Sequence, residues 1–309
     1  MITGAYTTAV IVAASMVAPV LAEMGIPKVE ITAIIALGST LGMIAPPVNI
    51  PAMLMGGGID MPFVGFGVPL LLLTLPLAVF SMLYLSLKHV SRKETDLRDV
   101  FCSDVNERYG FKVYLPIIVV VLFMSINKLL PGVIPDIGLP LTFVIGSIVA
   151  IFTGKKINIL KSAKEAVYMS LPVMGVLAGV GILIQIMTLT GVRGFIVIRS
   201  LDIPEYLLYL VIAAVVPLLG AISTFGSASV LGVPLLLALI SKNQIIVASA
   251  LSLLAGIGGL LPPLGFFAAD AVGNDYNKVL KAMVVPIVIY MILSVLFIVF
   301  ANQLAAILF

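Results

Sequence analysis

Hydroxyls and one amide, set close to paired prolines, are the groups in this chain with chemistry to offer. Ser39 and Thr40 lie about two helical turns before Pro46-Pro47, and Asn49 follows that pair. Ser223, Thr224, Ser227 and Ser229 crowd a second stretch of small residues that opens at Gly220, and Thr7 and Thr8 sit in a shorter one that opens at Gly4. Such groups make no covalent bonds readily. They are oxygen ligands for a hard cation and hydrogen-bond partners for an anion, and they bring no buried fixed charge. Acid–base and nucleophilic chemistry have little to work with. The single histidine, His89, stands beside Lys88, and the single cysteine, Cys102, lies in a polar stretch, so both read as solvated side chains. No zinc-ligand spacing, phosphate-binding loop, serine-nucleophile elbow or HExxH pattern occurs. The expectation is a protein that is not an enzyme and carries no cofactor.

Two elements must position these groups. The first is Gly38-Ser39-Thr40-Leu41-Gly42-Met43-Ile44-Ala45-Pro46-Pro47, and the second is Ala255-Gly256-Ile257-Gly258-Gly259-Leu260-Leu261-Pro262-Pro263-Leu264-Gly265. A Pro-Pro step removes two backbone donors and drives the preceding residue out of the helical region. Each helix is therefore predicted to unwind, freeing carbonyls over 38–45 and 256–261. Within a bilayer such a break persists only where protein or a watery cavity receives the freed groups. Paired breaks at matching places in two halves point to the binding site of a secondary transporter.

Composition supplies the solvent. The chain is 61% hydrophobic and 10% charged, with mean hydropathy +1.26, where soluble domains hold roughly 25% charged residues. A multi-pass membrane protein follows, with the lipid bilayer as its first partner. The formal charge of +3 is spread over loops and helix ends without basic runs and interleaved aromatics, so nucleic acid is excluded as a partner. Apolar stretches cover 4–22, 31–57, 62–87, 113–129, 139–153, 166–190, 204–240, 245–273 and 278–308. Residues 88–112 (Lys88, Arg92, Lys93, Arg98, Arg108, Lys112) and 155–164 (Lys155, Lys156, Lys161, Lys164) are basic, which places both loops in the cytoplasm and the turn at 131–138 outside.

The halves also repeat. Pro46 and Pro262 are 216 residues apart (262 − 46), as are Gly4 and Gly220 (220 − 4). Each glycine opens a hydroxyl-rich stretch, followed by an apolar arm holding Pro19 or Pro234, a broken helix and a closing helix. Reading 204–240 as a re-entrant hairpin with an unwound tip leaves five crossings between the equivalent points, and an odd number makes the repeats inverted. The expected organisation is a partial first repeat over 1–87, a cytoplasmic loop over 88–112, connecting scaffold helices over 113–165 and a second repeat over 166–309. Met1 falls at the tip of the first hairpin, so the chain reads either as an N-terminally shortened version of a larger design or as one piece of a split protein.

These motifs resemble the large membrane subunit of tripartite ATP-independent periplasmic (TRAP) transporters. The likeness rests on the 38–47 stretch, on Pro262-Pro263-Leu264-Gly265, on the spacing from Gly4 to Pro19 and on the basic loop after 62–87. It covers most of the 309 residues. The resemblance implies an all-α elevator-type carrier of the inner cell membrane whose hairpins and broken helices bind sodium and move against a scaffold. It also implies a small membrane subunit and a soluble binding protein that delivers carboxylates or sialic acids. On this reading Gly38, Ser39, Thr40, Ser223, Thr224, Ser227, Gly256 and Gly258 hold the ion, the only metal expected. Thr7, Thr8, Asn49, Ser229 and Gly265 meet a small organic anion, and Pro46, Pro47, Pro262 and Pro263 break the helices. This chain has Ala5-Tyr6 where the family often has paired serines, and Ser223-Thr224 where it often has an acid. Asp270 and Gln185 are further intramembrane polar groups, the first at a helix end and the second read as an interhelical hydrogen bond. A stand-alone ion-coupled carboxylate carrier and a non-transporting membrane partner are the alternatives.

Overall fold

A computed structural model describes residues 4–87, 110–129, 138–153 and 158–309. His89, Cys102, Lys155, Lys156, nearly all of the loop expected at 88–112 and all but the last residue of the turn expected at 131–138 lie outside the described residues. The described part is helical, with no strand among its residues. We number the helices α1 Tyr6–Glu23, α2 Lys28–Ile44, α3 Ile50–Gly57, α4 Gly67–Ser86, α5 Leu115–Leu129, α6 Gly138–Thr153, α7 Ile159–Leu189 and α8 Val192–Leu201. They continue as α9 Glu205–Ile222, α10 Thr224–Ala238, α11 Gln244–Gly258, α12 Phe266–Val272, α13 Tyr276–Val299 and α14 Ala301–Leu308. Four of them, α1, α4, α9 and α13, are long and apolar enough to cross a bilayer singly. The chain is a multi-pass membrane protein.

It divides into two compact units, Met1–Thr95 with Val173–Phe309, and Asp96–Pro172. In the second unit α5 and α6 pair closely, because Gly146 faces Val120 where a Cβ would come within 2.4 Å of a valine methyl. The first unit carries everything else of interest. Its centre is α11, in which every residue from Ile246 to Gly258 is buried among α2, α3, α4, α9 and α13.

Both Pro-Pro sites break their helices, but more sharply than the glycines suggest. Pro46 forces Ala45 to φ −63°, ψ 146°, and α2 runs intact up to Ile44. The chain restarts at α3, where the Asn49 side chain accepts from the Ala52 amide and caps the new helix. On the other side α11 runs to Gly258, and a series of turns carries the chain past Pro262-Pro263 to α12. The carbonyls expected to be unwound at 38–44 and 256–258 are therefore helical. At the first break only Ala45 leaves the helix ahead of the prolines, at the second residues 259–261 do, and packing holds Gly38, Gly42, Gly256 and Gly258 in the helix.

Four other expectations change. The segment 204–240 has no extended unwound tip, since Ser223 alone leaves the helix (φ −157°, ψ 114°) and the Gly-Ser stretch after it forms α10 with a π-helical turn over Ala228–Gly232. It is a hairpin nonetheless. Lys242 Nζ meets Glu205 Oε1 at 3.1 Å, joining the outer ends of its two arms, and Ser227 Oγ donates to the Val216 carbonyl at 2.7 Å beside the tip. Residues 159–164, expected in a loop, start α7, because Asn158 caps the Lys161 amide and good helix formers follow. The stretch 278–308 is two helices, parted at Phe300. Finally α8, outside the expected apolar stretches, is helical and turns 72° from α7 through Gly191, whose φ of +75° suits glycine.

The spacing of the halves carries into the elements. α2 and α11 start 216 residues apart (244 − 28), and so do α3 and α12 (266 − 50). α1-α2-α3-α4 and α10-α11-α12-α13 thus follow one another in the same order.

Candidate functional site

Every interruption meets another inside the first unit. Gly4, at φ +59°, presses on Val48 and Ile50 of the first break, where a Cβ would lie 3.0 Å from a Val48 methyl. A Cβ on Gly259, in the second break, would lie 3.8 Å from both Thr224 Oγ1 at the hairpin tip and the Tyr6 ring at the start of α1. Gly256 rests on Ile44, the last residue before the first break. Gly220 and Gly258 cross backbone to backbone: a Cβ on Gly258 would stand 2.2 Å from the Gly220 carbonyl carbon. One side chain fastens the first break to the central helix. Asn49 Nδ2 donates to the Ile44 carbonyl and to Ser252 Oγ, both at 2.9 Å, and Ser252 in turn donates to the Ser249 carbonyl at 2.7 Å.

The hydroxyls divide into two groups. Most helical serines and threonines here give their proton to the carbonyl four residues back, as Thr32, Thr74, Ser81, Ser249 and Ser294 do. Ser39 and Thr40 do not. They are 4% and 0% exposed, and neither hydroxyl has a hydrogen-bond partner among the described residues. The Tyr6 hydroxyl is buried in the same condition. Leaving such a group unpaired costs about 1–3 kcal/mol, so each of the three is a group to which a ligand would be worth most.

The two breaks also differ. At the second, Tyr276 Oη donates to the Leu260 carbonyl at 2.9 Å, and the amides of Gly265, Phe266 and Phe267 bond the carbonyls of Leu261, Pro263 and Leu264. At the first, the carbonyls of residues 46–48 accept no hydrogen bond from the described residues, as those of Gly259 and Pro262 accept none at the second. Free backbone oxygens therefore lie at both breaks, those of the first on the C-terminal side of Ser39 and Thr40.

The expected site residues separate accordingly. Ser39 and Thr40 keep free hydroxyls, and Thr224 is buried beside Gly259 and Tyr6. Gly38 has open space where its side chain would be and, with Thr8, lines a groove between α1, α2 and α4. Thr7 is half-buried. Other groups are engaged within the fold. Asn49 has its carbonyl and both amide hydrogens bonded, Ser223 Oγ caps the Gly226 amide, and Ser227 and Ser229 bond backbone carbonyls. Gly256, Gly258 and Gly265 are points of close packing, the last against the Leu260 carbonyl and Tyr276. Asp270 and Gln185 are exposed, and Gln185 makes no interhelical bond among the described residues. Two residues of the cluster escaped the sequence reading, Tyr6 and Ser252. Tyr6 stood in a quoted stretch but was passed over for the threonines after it, and Ser252 meets Asn49 across 203 positions.

Comparison with known proteins completes the description. No curated protein and no solved structure matches the chain significantly. A family model does match, over residues 1–304, and it describes the tripartite ATP-independent periplasmic transporter, DctM component. With nearly the whole sequence covered by that model and an all-α, broken-helix membrane fold in place, the chain belongs to the DctM family of TRAP transporter permease components.

Proposed function

We propose that this permease component imports a small organic anion, a carboxylate, together with sodium, in the inner cell membrane. In this reading a soluble binding protein delivers the substrate and a small membrane subunit completes the assembly. The observation that carries the proposal is the pair of buried, unpartnered hydroxyls of Ser39 and Thr40 on the helix that ends at the first break. Sodium takes oxygen ligands, and hydroxyls with free carbonyls supply them without a fixed charge. Tyr6 and Thr224, from the start of α1 and the hairpin tip, meet at Gly259 and offer two further hydroxyls. Each net positive charge carried inward contributes about 2.3 kcal/mol per 100 mV, roughly a fifty-fold concentration ratio, which drives uptake without ATP.

The test is uptake of radiolabelled succinate and sialic acid into liposomes containing the purified protein, with and without the small subunit and binding protein. Sodium-gradient uptake that stops when choline replaces sodium is expected. Equal uptake in choline would remove sodium from the mechanism, and full uptake without the binding protein would identify a stand-alone carrier.

A further inference from the structure

Three buried hydroxyls of the first unit have no hydrogen-bond partner among the described residues, those of Tyr6, Ser39 and Thr40. They are not equivalent. Ser39 and Thr40 carry alkyl hydroxyls on α2, whereas Tyr6 carries a phenol at the first position of α1. A phenol shares its oxygen lone pair with the ring, which weakens it as a ligand for a cation. It also holds its proton less tightly than an alkyl hydroxyl, which strengthens it as a donor to an anion.

The surroundings of Tyr6 give such a donor weight. No Lys, Arg or His occurs in 4–27, 29–87, 203–241 or 243–277, the stretches that hold α1, the first break, the hairpin and the second break. An anion received among these elements meets neutral donors alone, and a hydrogen bond to a charged group is roughly twice as strong as one between neutral groups. Ser227, Ser229 and Tyr276 give their protons to backbone carbonyls and are spent. Tyr6 is 6% exposed and is fixed by its ring, which lies against Gly259. A Cβ on that glycine would stand 3.8 Å from the ring and 3.8 Å from Thr224 Oγ1. The other half has no such pair. At the 216-residue offset Tyr6 and Gly259 answer to Ile222 (6 + 216) and Met43 (259 − 216), two apolar side chains in place of a ring set on a glycine.

We propose that Tyr6 is a specificity-determining residue of this permease, whose hydroxyl donates to a carboxylate oxygen of the substrate where the start of α1, the hairpin tip and the second break meet. Ser39 and Thr40 are left to the ion. The assignment rests on the reading of the protein as an importer of an organic anion, and it names the group that selects for the charge. A carboxylate accepts a stronger bond from the phenol than a neutral amide of the same shape does. Because the ring and its glycine belong to one half only, the phenol also gives the anion one preferred side.

The probes are two carboxylates, succinate and sialic acid, and one neutral amide, succinamide, added to the full chain in detergent at saturating sodium. The readout is the melting temperature. At least one carboxylate should raise it in the parent, and succinamide should not. Tyr6→Phe keeps the ring on Gly259 and removes only the hydroxyl, so without ligand it should melt at or above the parent temperature. It should need about ten- to a hundredfold more carboxylate for the same rise, the loss expected for one hydrogen bond to a charged group. The sodium concentration that gives half of the sodium-dependent rise should not change. An unchanged carboxylate requirement in Tyr6→Phe would overturn the assignment. So would a shifted sodium requirement in its place, which would make the hydroxyl an ion ligand. A variant that melts below the parent without ligand would mean that the hydroxyl is already bonded within the fold, and that too would overturn it. No rise with either carboxylate in the parent would remove the anion reading itself, and this assignment with it.

Discussion

Replacing Ser39 by Ala and Thr40 by Val should make the protein more stable without sodium and insensitive to sodium. Both hydroxyls are buried and unpaired within the protein, and each removal relieves about 1 kcal/mol or more of desolvation cost. Valine keeps the threonine's shape, and alanine at position 39 leaves the helix intact. The sodium-free double variant should therefore gain about 2 kcal/mol over the parent. Sodium reverses the trend. At ten times its dissociation constant, an ion that binds only the folded form contributes about 1.4 kcal/mol. The parent gains this and the variant does not, so the gap narrows to about 0.6 kcal/mol. Melting in detergent, in sodium chloride and in choline chloride at equal ionic strength, reads both effects. A variant less stable than the parent in choline would mean that the hydroxyls are already satisfied. A variant that keeps the full sodium gain would mean that they do not touch the ion. Either result refutes the reasoning.

Three further outcomes are expected from the packing. Gly258→Ala should cost at least 2–3 kcal/mol by denaturation, since its Cβ meets the Gly220 backbone, whereas Gly38→Ala should be neutral or gain about 0.5–1 kcal/mol. Asn49→Ala should lower stability by about 2–4 kcal/mol by denaturation, because it uncaps α3 and leaves the Ile44 carbonyl unbonded. Ser223→Ala should cost about 1 kcal/mol through loss of the cap on Gly226, and Ser223→Asp should restore it, as the melting temperatures of the two variants will show.

Hydropathy, the two Pro-Pro steps and the 216-residue offset were enough to indicate a membrane protein built of two related halves with a broken helix in each. These features are local, because proline acts on its immediate neighbours and lipid acts on every exposed side chain in the same way. Where the breaks stop was not local. Ser39, Thr40 and Gly258 stay helical because they lie in buried stretches of α2 and α11, and a helix among helices satisfies its own backbone where an unwound one would not. Which oxygens remain free was decided by partners far away in sequence. Asn49 is consumed by Ser252, and Leu260 by Tyr276, while Ser39 and Thr40 forgo the bond that most other helical hydroxyls make. A hydroxyl's availability is a property of everything packed around it, so sequence supplied the candidates and tertiary structure chose among them.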